Sequence, residues 1–175
     1  MENVVLKIEN LSHRYSVQWA IKDPNSNQYI LKDINFEIPG KGIFGLLGSN
    51  GAGKSTIMNI MCGVLRPTEG NVWIKGISMT ENAVKAKRYI GFLPQNPPVQ
   101  MELTVNEYLS YCAGLRDIPR KEVQKAVDKV MERCAISHFK KRVIRNLSGG
   151  YRQRVGIAQA IIHNPDFVVL DEPTN

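Results

Sequence analysis

The stretch Gly48-Ser49-Asn50-Gly51-Ala52-Gly53-Lys54-Ser55 constrains this 175-residue chain more than any other. It fits G-x-x-x-x-G-K-[ST], a tight loop set between a strand and a helix. Its three glycines let the backbone approach an anion with no Cβ in the way. Successive N–H groups then point into one concavity and hold phosphate oxygens. A helix starting near Gly53 adds its positive end to the same place. Lys54 is placed to reach the β- and γ-phosphates of a nucleotide, and the Ser55 hydroxyl to ligate Mg²⁺. The flanks supply the required context. Gly42-Ile43-Phe44-Gly45-Leu46-Leu47 is a short apolar run that suits a buried strand. Thr56-Ile57-Met58-Asn59-Ile60-Met61-Cys62 suits a packed helix.

The length accommodates one domain with a small subdomain. With 43% hydrophobic and 22% charged residues, the composition is that of an ordinary globular protein. No apolar run approaches the roughly 20 residues that cross a bilayer, and the start of the chain lacks the pattern of a secretory signal. A cytosolic location is the default expectation. Cys62, Cys112 and Cys134 are widely spaced and form no C-x-x-C pair, which argues against zinc and for buried free thiols. His13, His138 and His163 are equally scattered. The net charge of +7 is densest at His138-Phe139-Lys140-Lys141-Arg142-Val143-Ile144-Arg145. That patch reads as a solvated basic face, and a polyanionic nucleotide also gains from a positive surround.

Strands are expected over 4–8 and 30–38, the second with alternation, and over 71–76. Thr104-Val105-Asn106-Glu107 is a capping box, with Leu103 and Tyr108 where a hydrophobic staple closes a helix start. A second helix is expected from about Pro119 to Cys134, with Val123, Ala126, Val127, Val130, Met131 and Cys134 on one buried face.

Phe167-Val168-Val169-Leu170-Asp171-Glu172 is an apolar run ending in two carboxylates, the pattern of a central parallel strand buried on both faces. Ligands of open α/β sheets bind beyond the carboxyl ends of the strands. Asp171 is therefore suited to hold Mg²⁺ through water, and Glu172 to polarise a water attacking the γ-phosphate. In Leu147-Ser148-Gly149-Gly150-Tyr151-Arg152-Gln153-Arg154, Ser148 is a good N-cap. The helix it opens carries Val155, Ala158, Ile161 and Ile162 on its apolar face and should stop at Asn164-Pro165. One reading is a capped helix after a Gly-Gly turn. The other is a second phosphate-binding helix start, where Ser148 Oγ and the Gly149 and Gly150 N–H groups converge.

The chain resembles the ATP-binding cassette (ABC) family on four motifs in order: GSNGAGKST at 48–56, Gln95, LSGGYRQR at 147–154 and FVVLDEPTN at 167–175. The resemblance covers nearly the whole chain. It implies an α/β fold: a P-loop NTPase with a parallel core sheet, an N-terminal antiparallel β-subdomain and an α-helical subdomain inserted at about 97–147. It also implies an ATPase working as a head-to-tail homodimer or heterodimer. Each ATP would lie between one subunit's phosphate loop, Gly48 to Thr56, and the Ser148, Gly149 and Gly150 segment of the other. Lys54, Ser55 and Thr56 would hold phosphates and Mg²⁺. Gln95 would sense the γ-phosphate and Mg²⁺, and Glu172 would be the general base. An aromatic residue upstream of the loop usually stacks on adenine; Tyr15 is the best match, with Trp19 and Tyr29 as alternatives.

Two departures stand out. Tyr151 replaces the family's usual Gln, and the run that follows looks like the branch driving ABC-2-type exporters. The chain also ends at Asn175, before the family's later strand and its switch His. His163 precedes the Asp171-Glu172 strand and does not match that His. A C-terminally truncated chain, binding Mg-ATP weakly and hydrolysing it poorly, is the expectation. The implied role is the cytosolic ATPase subunit of a transporter, peripheral on the cytosolic face of the cell membrane and coupled to an integral membrane permease subunit, with no nucleic acid expected. A non-transport ABC ATPase acting on DNA or ribosomes is the alternative. Against it, 54–148 holds no sustained heptads and the chain has one cassette. A hydrolysis-deficient fragment is the third reading; intact Lys54, Asp171 and Glu172 argue against a pseudo-ATPase.

Overall fold

Apolar residues at the head of the chain build the first strand, β1 (Val4–His13), in which Leu6, Ile8 and Leu11 are fully buried. Burying each such side chain contributes about 1.5–3 kcal/mol. The computed structural model describes residues 4–15 and 29–173, which fall into two units, Met1–Tyr89 and Ile90–Asn175.

In the first unit β1 pairs antiparallel with β2 (Leu31–Pro39) on one side and β3 (Glu69–Ile74) on the other. The two-residue β4 (Ile77–Ser78) extends the sheet beyond β3, giving the order β2-β1-β3-β4. This is the expected antiparallel sheet. β1 runs further than the 4–8 segment because it absorbs a bulge: Asn10 takes φ 50° and its N–H donates to Asn35 Oδ1 at 2.8 Å. Helix α1 (Lys54–Met61) starts directly at the phosphate-loop motif and buries Ile57, Ile60 and Met61. A short helix, α2 (Ala83–Lys87), is capped by Asn82, whose side chain accepts from the Lys85 N–H at 3.2 Å.

The strand expected over 42–47 does not form. Residues 43–47 belong to no sheet, and Leu47 is 92% exposed. A strand is held by the backbone groups of its neighbours. Among the described residues none pairs with this run, so its apolar side chains have no sheet to pack from.

The second unit joins a parallel pair to a helical layer. β5 (Ile90–Leu93) and β6 (Phe167–Leu170) pair in parallel, Ile90 opposite Phe167 through to Leu93 opposite Leu170. Between them run α3 (Val105–Leu115), α4 (Arg120–Arg133) and α5 (Gly149–Ile161). α3 opens with the expected capping box: Thr104 Oγ1 accepts from the Glu107 N–H, and Glu107 Oε2 accepts from the Thr104 N–H at 2.8 Å. These bonds hold the Glu107 carboxyl below its ordinary range. α4 turns Val127, Val130 and Met131 inward, as its periodicity requires, against a core that includes Leu109, Ile136, Ile144, Val155 and Ala158. Cys112 is buried in that core, and burial pushes its thiol pKa up.

α5 lies tight against the β5 side because Gly156 has no side chain. A Cβ there would stand 2.7 Å from Leu93 Cδ1 and 2.9 Å from Pro97 Cβ. The β6 run is less enclosed than a strand buried on both faces: Val169 is buried, Val168 exposed, and Phe167 and Leu170 intermediate. Among the described residues β6 has a strand neighbour on one side only. No described helix is long and apolar enough to cross a membrane.

Candidate functional site

The phosphate loop turns into α1 through Gly53, the N-cap residue, with φ 86°. A Cβ at Gly53 would sit 2.8 Å from Leu31 Cδ2 and 3.2 Å from Ile30 Cγ2. Left-handed backbone and close packing against the start of β2 therefore both demand glycine. Lys54 Nζ folds back over the loop and donates to the carbonyls of Gly48 and Ser49, both at 2.8 Å. The Ala52 N–H donates to Ser49 O at 3.2 Å. Neutral carbonyls are weaker acceptors for an ammonium than phosphate oxygens. The lysine is thus stationed where an anion's oxygens would win it. Gly48, Ser49, Asn50, Gly51, Ala52 and Ser55 are all exposed, and Thr56 is half-buried.

The three aromatic candidates separate. Tyr15 leaves the end of β1 44% exposed, with its hydroxyl 3.3 Å from Thr56 Oγ1 on α1. Tyr29 donates its hydroxyl to Glu69 Oε1 at 2.7 Å, and the Arg14 guanidinium lies over its ring at 5.6 Å. That ring is engaged at hydroxyl and face. Trp19 lies outside the described residues.

In the second unit the parallel register does the positioning. Leu93 opposes Leu170, so the residues two further along, Gln95 and Glu172, arrive side by side. Gln95 Nε2 donates to Glu172 Oε2 at 2.8 Å. Between them Asp171, 6% exposed, anchors its N–H on Leu93 O at 2.9 Å. Glu172 takes φ 48°, a left-handed backbone that a non-glycine residue holds at a cost of about 1–3 kcal/mol. The turn out of β6 thus presents an exposed carboxylate beside an amide, directly after a buried carboxylate in the chain.

Ser148 stands at the N-cap of α5 as expected, but its hydroxyl makes no capping bond. Ser148, Gly149 and Gly150 are exposed, so the first-turn N–H groups stay available to an outside acceptor. Behind them is a cluster that sequence reasoning missed. Tyr151 meets Phe139 edge-on at 4.5 Å and His138 at 5.9 Å, with Arg154 over its ring and Arg142 over Phe139. The sequence marks Tyr151 as unusual and His138-Phe139 as part of the basic patch, but only the packing of α5 on its helical neighbours brings them together. His163, just past α5, shares a hydrogen bond with Ile90 O at 3.1 Å. Burial first, and the Arg116 charge second, lower its pKa to about 4.

Among the described residues no group of three or more His, Cys, Asp or Glu forms a metal cluster. The donors singled out for Mg²⁺ are Ser55 in the first unit and Gln95 and Asp171 in the second. All offer oxygen, the chemistry Mg²⁺ requires. A cleft of about 340 Å³ in the first unit is lined by Ile60, Arg66, Thr68, Met79 and others, and includes no residue of the phosphate loop. Its Asn71 amide is already engaged by Ser78 and Thr80.

Comparison with known proteins gives a consistent picture. The family described as ABC transporter matches residues 31–175. Among solved structures, cbiO1 from Clostridium perfringens, part of the ABC transporter complex cbiONQ, superposes with TM-score 0.80 at 31% identity. The match covers 99% of this chain and 67% of that one. An ATP-binding subunit of an ABC transporter gives 0.82 at 25% identity over 97% and 67% of the two chains. A dimeric ATP-binding cassette in a post-hydrolysis state, bound to ADP and Pi, gives 0.83 at 29% identity over 97% and 74%.

Proposed function

The chain is a member of the ABC transporter family, and from that premise we propose that it binds Mg-ATP at the loop around Lys54 and hydrolyses it to drive transport across a membrane. The observation that carries the hydrolytic part is the Gln95–Glu172 hydrogen bond next in sequence to the buried Asp171. It sets an oriented carboxylate at the carboxyl end of a parallel strand pair, where ligands of such sheets bind.

Each residue has a role that its surroundings support. The N–H groups of 48–56 cradle the phosphates, and Lys54 exchanges its two carbonyls for β- and γ-phosphate oxygens. Ser55 in the first unit and Gln95 and Asp171 in the second are the residues that would supply oxygens to Mg²⁺, and the ion would offset phosphate charge. Tyr15 offers a ring to adenine, and its contact with Thr56 ties that platform to α1. Glu172 accepts the proton of the attacking water, and Gln95 holds the carboxylate in place. Such phosphoryl transfer is mostly positioning and charge stabilisation. The open first turn at Ser148, Gly149 and Gly150 suits the phosphates of a nucleotide bound by a second cassette. The dimeric relative supports that arrangement. The residues from about 97 to 147 act as the helical subdomain of a single cassette. The relative that belongs to a transporter complex supports an integral membrane permease as partner and a place on the cytosolic face of the membrane.

The test is phosphate release by the purified chain with Mg-ATP. Glu172→Gln should lower turnover by about 10²–10⁴-fold, the range for losing a general base, with ATP still bound. Equal turnover in both proteins would remove Glu172 from the role assigned to it.

A further inference from the structure

We propose that His13 is a positioning residue for nucleobase recognition, acting through Tyr15; this rests on the reading of Tyr15 as the adenine platform. β1 ends at His13, where the His13 carbonyl accepts from the Ile30 N–H at 2.9 Å and fixes the backbone. The imidazole is 7% exposed, and among the described residues neither ring nitrogen has a hydrogen-bond partner. A buried polar ring with both nitrogens unused is costly to keep for packing alone. What it does make is an edge-to-face contact with Tyr15, centroids 4.8 Å apart and planes at 88°. Such pairs have a preferred geometry and resist rotation of either ring.

Tyr15 is therefore held at two points, its ring by His13 and its hydroxyl by Thr56 at 3.3 Å. Two of its degrees of freedom are set before any ligand arrives, while much of the ring stays in solvent. A base stacking on a preset ring avoids the ordering cost that a free tyrosine would incur. Because Thr56 follows the loop residues Lys54 and Ser55, the platform is indexed to the phosphate cradle at one end and to His13 at the other. His13 thus bears on the part of affinity that comes from the base and not on the part from the phosphates.

The experiment compares ATP with inorganic tripolyphosphate, both with Mg²⁺, by calorimetric titration of the wild-type chain, His13→Ala, His13→Phe, Tyr15→Ala and the His13→Ala/Tyr15→Ala double variant. We expect His13→Ala to weaken ATP about three- to tenfold, the range for freeing one side chain, with tripolyphosphate unchanged. His13→Phe keeps the ring contact and should restore ATP affinity. In the Tyr15→Ala background, His13→Ala should have no further effect. If the alanine variant melts below the assay temperature, His13→Leu fills the site without a ring and is read the same way. The proposal is overturned if His13→Ala leaves ATP unchanged, weakens both ligands equally, is not rescued by Phe, or adds in full to Tyr15→Ala. If Tyr15→Ala itself leaves ATP binding unchanged, the platform reading fails first and takes this inference with it.

Discussion

Gln95 Nε2 donates to Glu172 Oε2 across 2.8 Å, joining two residues 77 positions apart. The pairing follows from register: each lies two residues beyond a strand end, and those ends are opposite one another in β5 and β6. Gln95→Ala would leave the carboxylate on its strained turn without this amide partner. We expect kcat for ATP hydrolysis to fall tenfold or more, because the contact that orients the base and the oxygen assigned to Mg²⁺ are both lost while Lys54 and the loop N–H groups remain. Steady-state phosphate release over a range of ATP concentrations checks this; an unchanged kcat would mean that the bond does not orient the base.

Gly53 tests the phosphate loop as architecture. Alanine there must hold φ near 86° and bring its Cβ within 2.8 Å of Leu31 Cδ2. The positive φ alone costs about 1–3 kcal/mol, and the crowding against the Leu31 side chain adds to it. Gly53→Ala should therefore lower the thermal midpoint by several degrees. A thermal melt followed by far-ultraviolet circular dichroism reads it. A midpoint equal to the wild type's would show that the loop has another conformation.

His163 makes stability depend on acidity in a defined window. Its folded pKa is lowered to about 4, by burial first and by Arg116 second, against an ordinary 6.5. Below pH 6.5 the unfolded chain takes up a proton that the folded chain refuses until about pH 4. The stabilisation is complete above 6.5 and drains away as pH falls towards 4. The imidazole is partly in solvent, and after allowance for screening the loss is about 1–2 kcal/mol. His163→Asn should flatten that part of the profile. Urea midpoints of the two proteins at pH 7.5 and 4.5 give the comparison; parallel profiles would contradict it.

What could be read from sequence was local. The Thr104–Glu107 box needs four consecutive residues, and α4 needs its own 3.6-residue period; both took the expected form. Lys54 and Gly53 likewise carry their geometry in adjacent positions. Sheet structure was harder, because an apolar run does not say which strand will lie beside it. Thus 43–47 reads like β6 but belongs to no sheet, and Val168 is exposed where an enclosed strand would bury it. Contacts between distant segments were hardest. The Arg14–Tyr29 stack and the His13–Tyr15–Thr56 chain depend on packing within the first unit, and the Tyr151–Phe139 pair on packing within the second, which no single motif records.

The most direct measurement is titration of the wild-type chain and Lys54→Ala with a fluorescent ATP analogue in the presence of Mg²⁺. Lys54 is held over the loop by two carbonyls and is the one side-chain cation of the 48–56 motif. Wild-type protein should show saturable binding, and Lys54→Ala should weaken it at least tenfold, about 1.4 kcal/mol, with an unchanged circular dichroism spectrum. Saturable binding of equal strength in both proteins, or none in the folded wild type, would contradict the assignment of this loop as the nucleotide site.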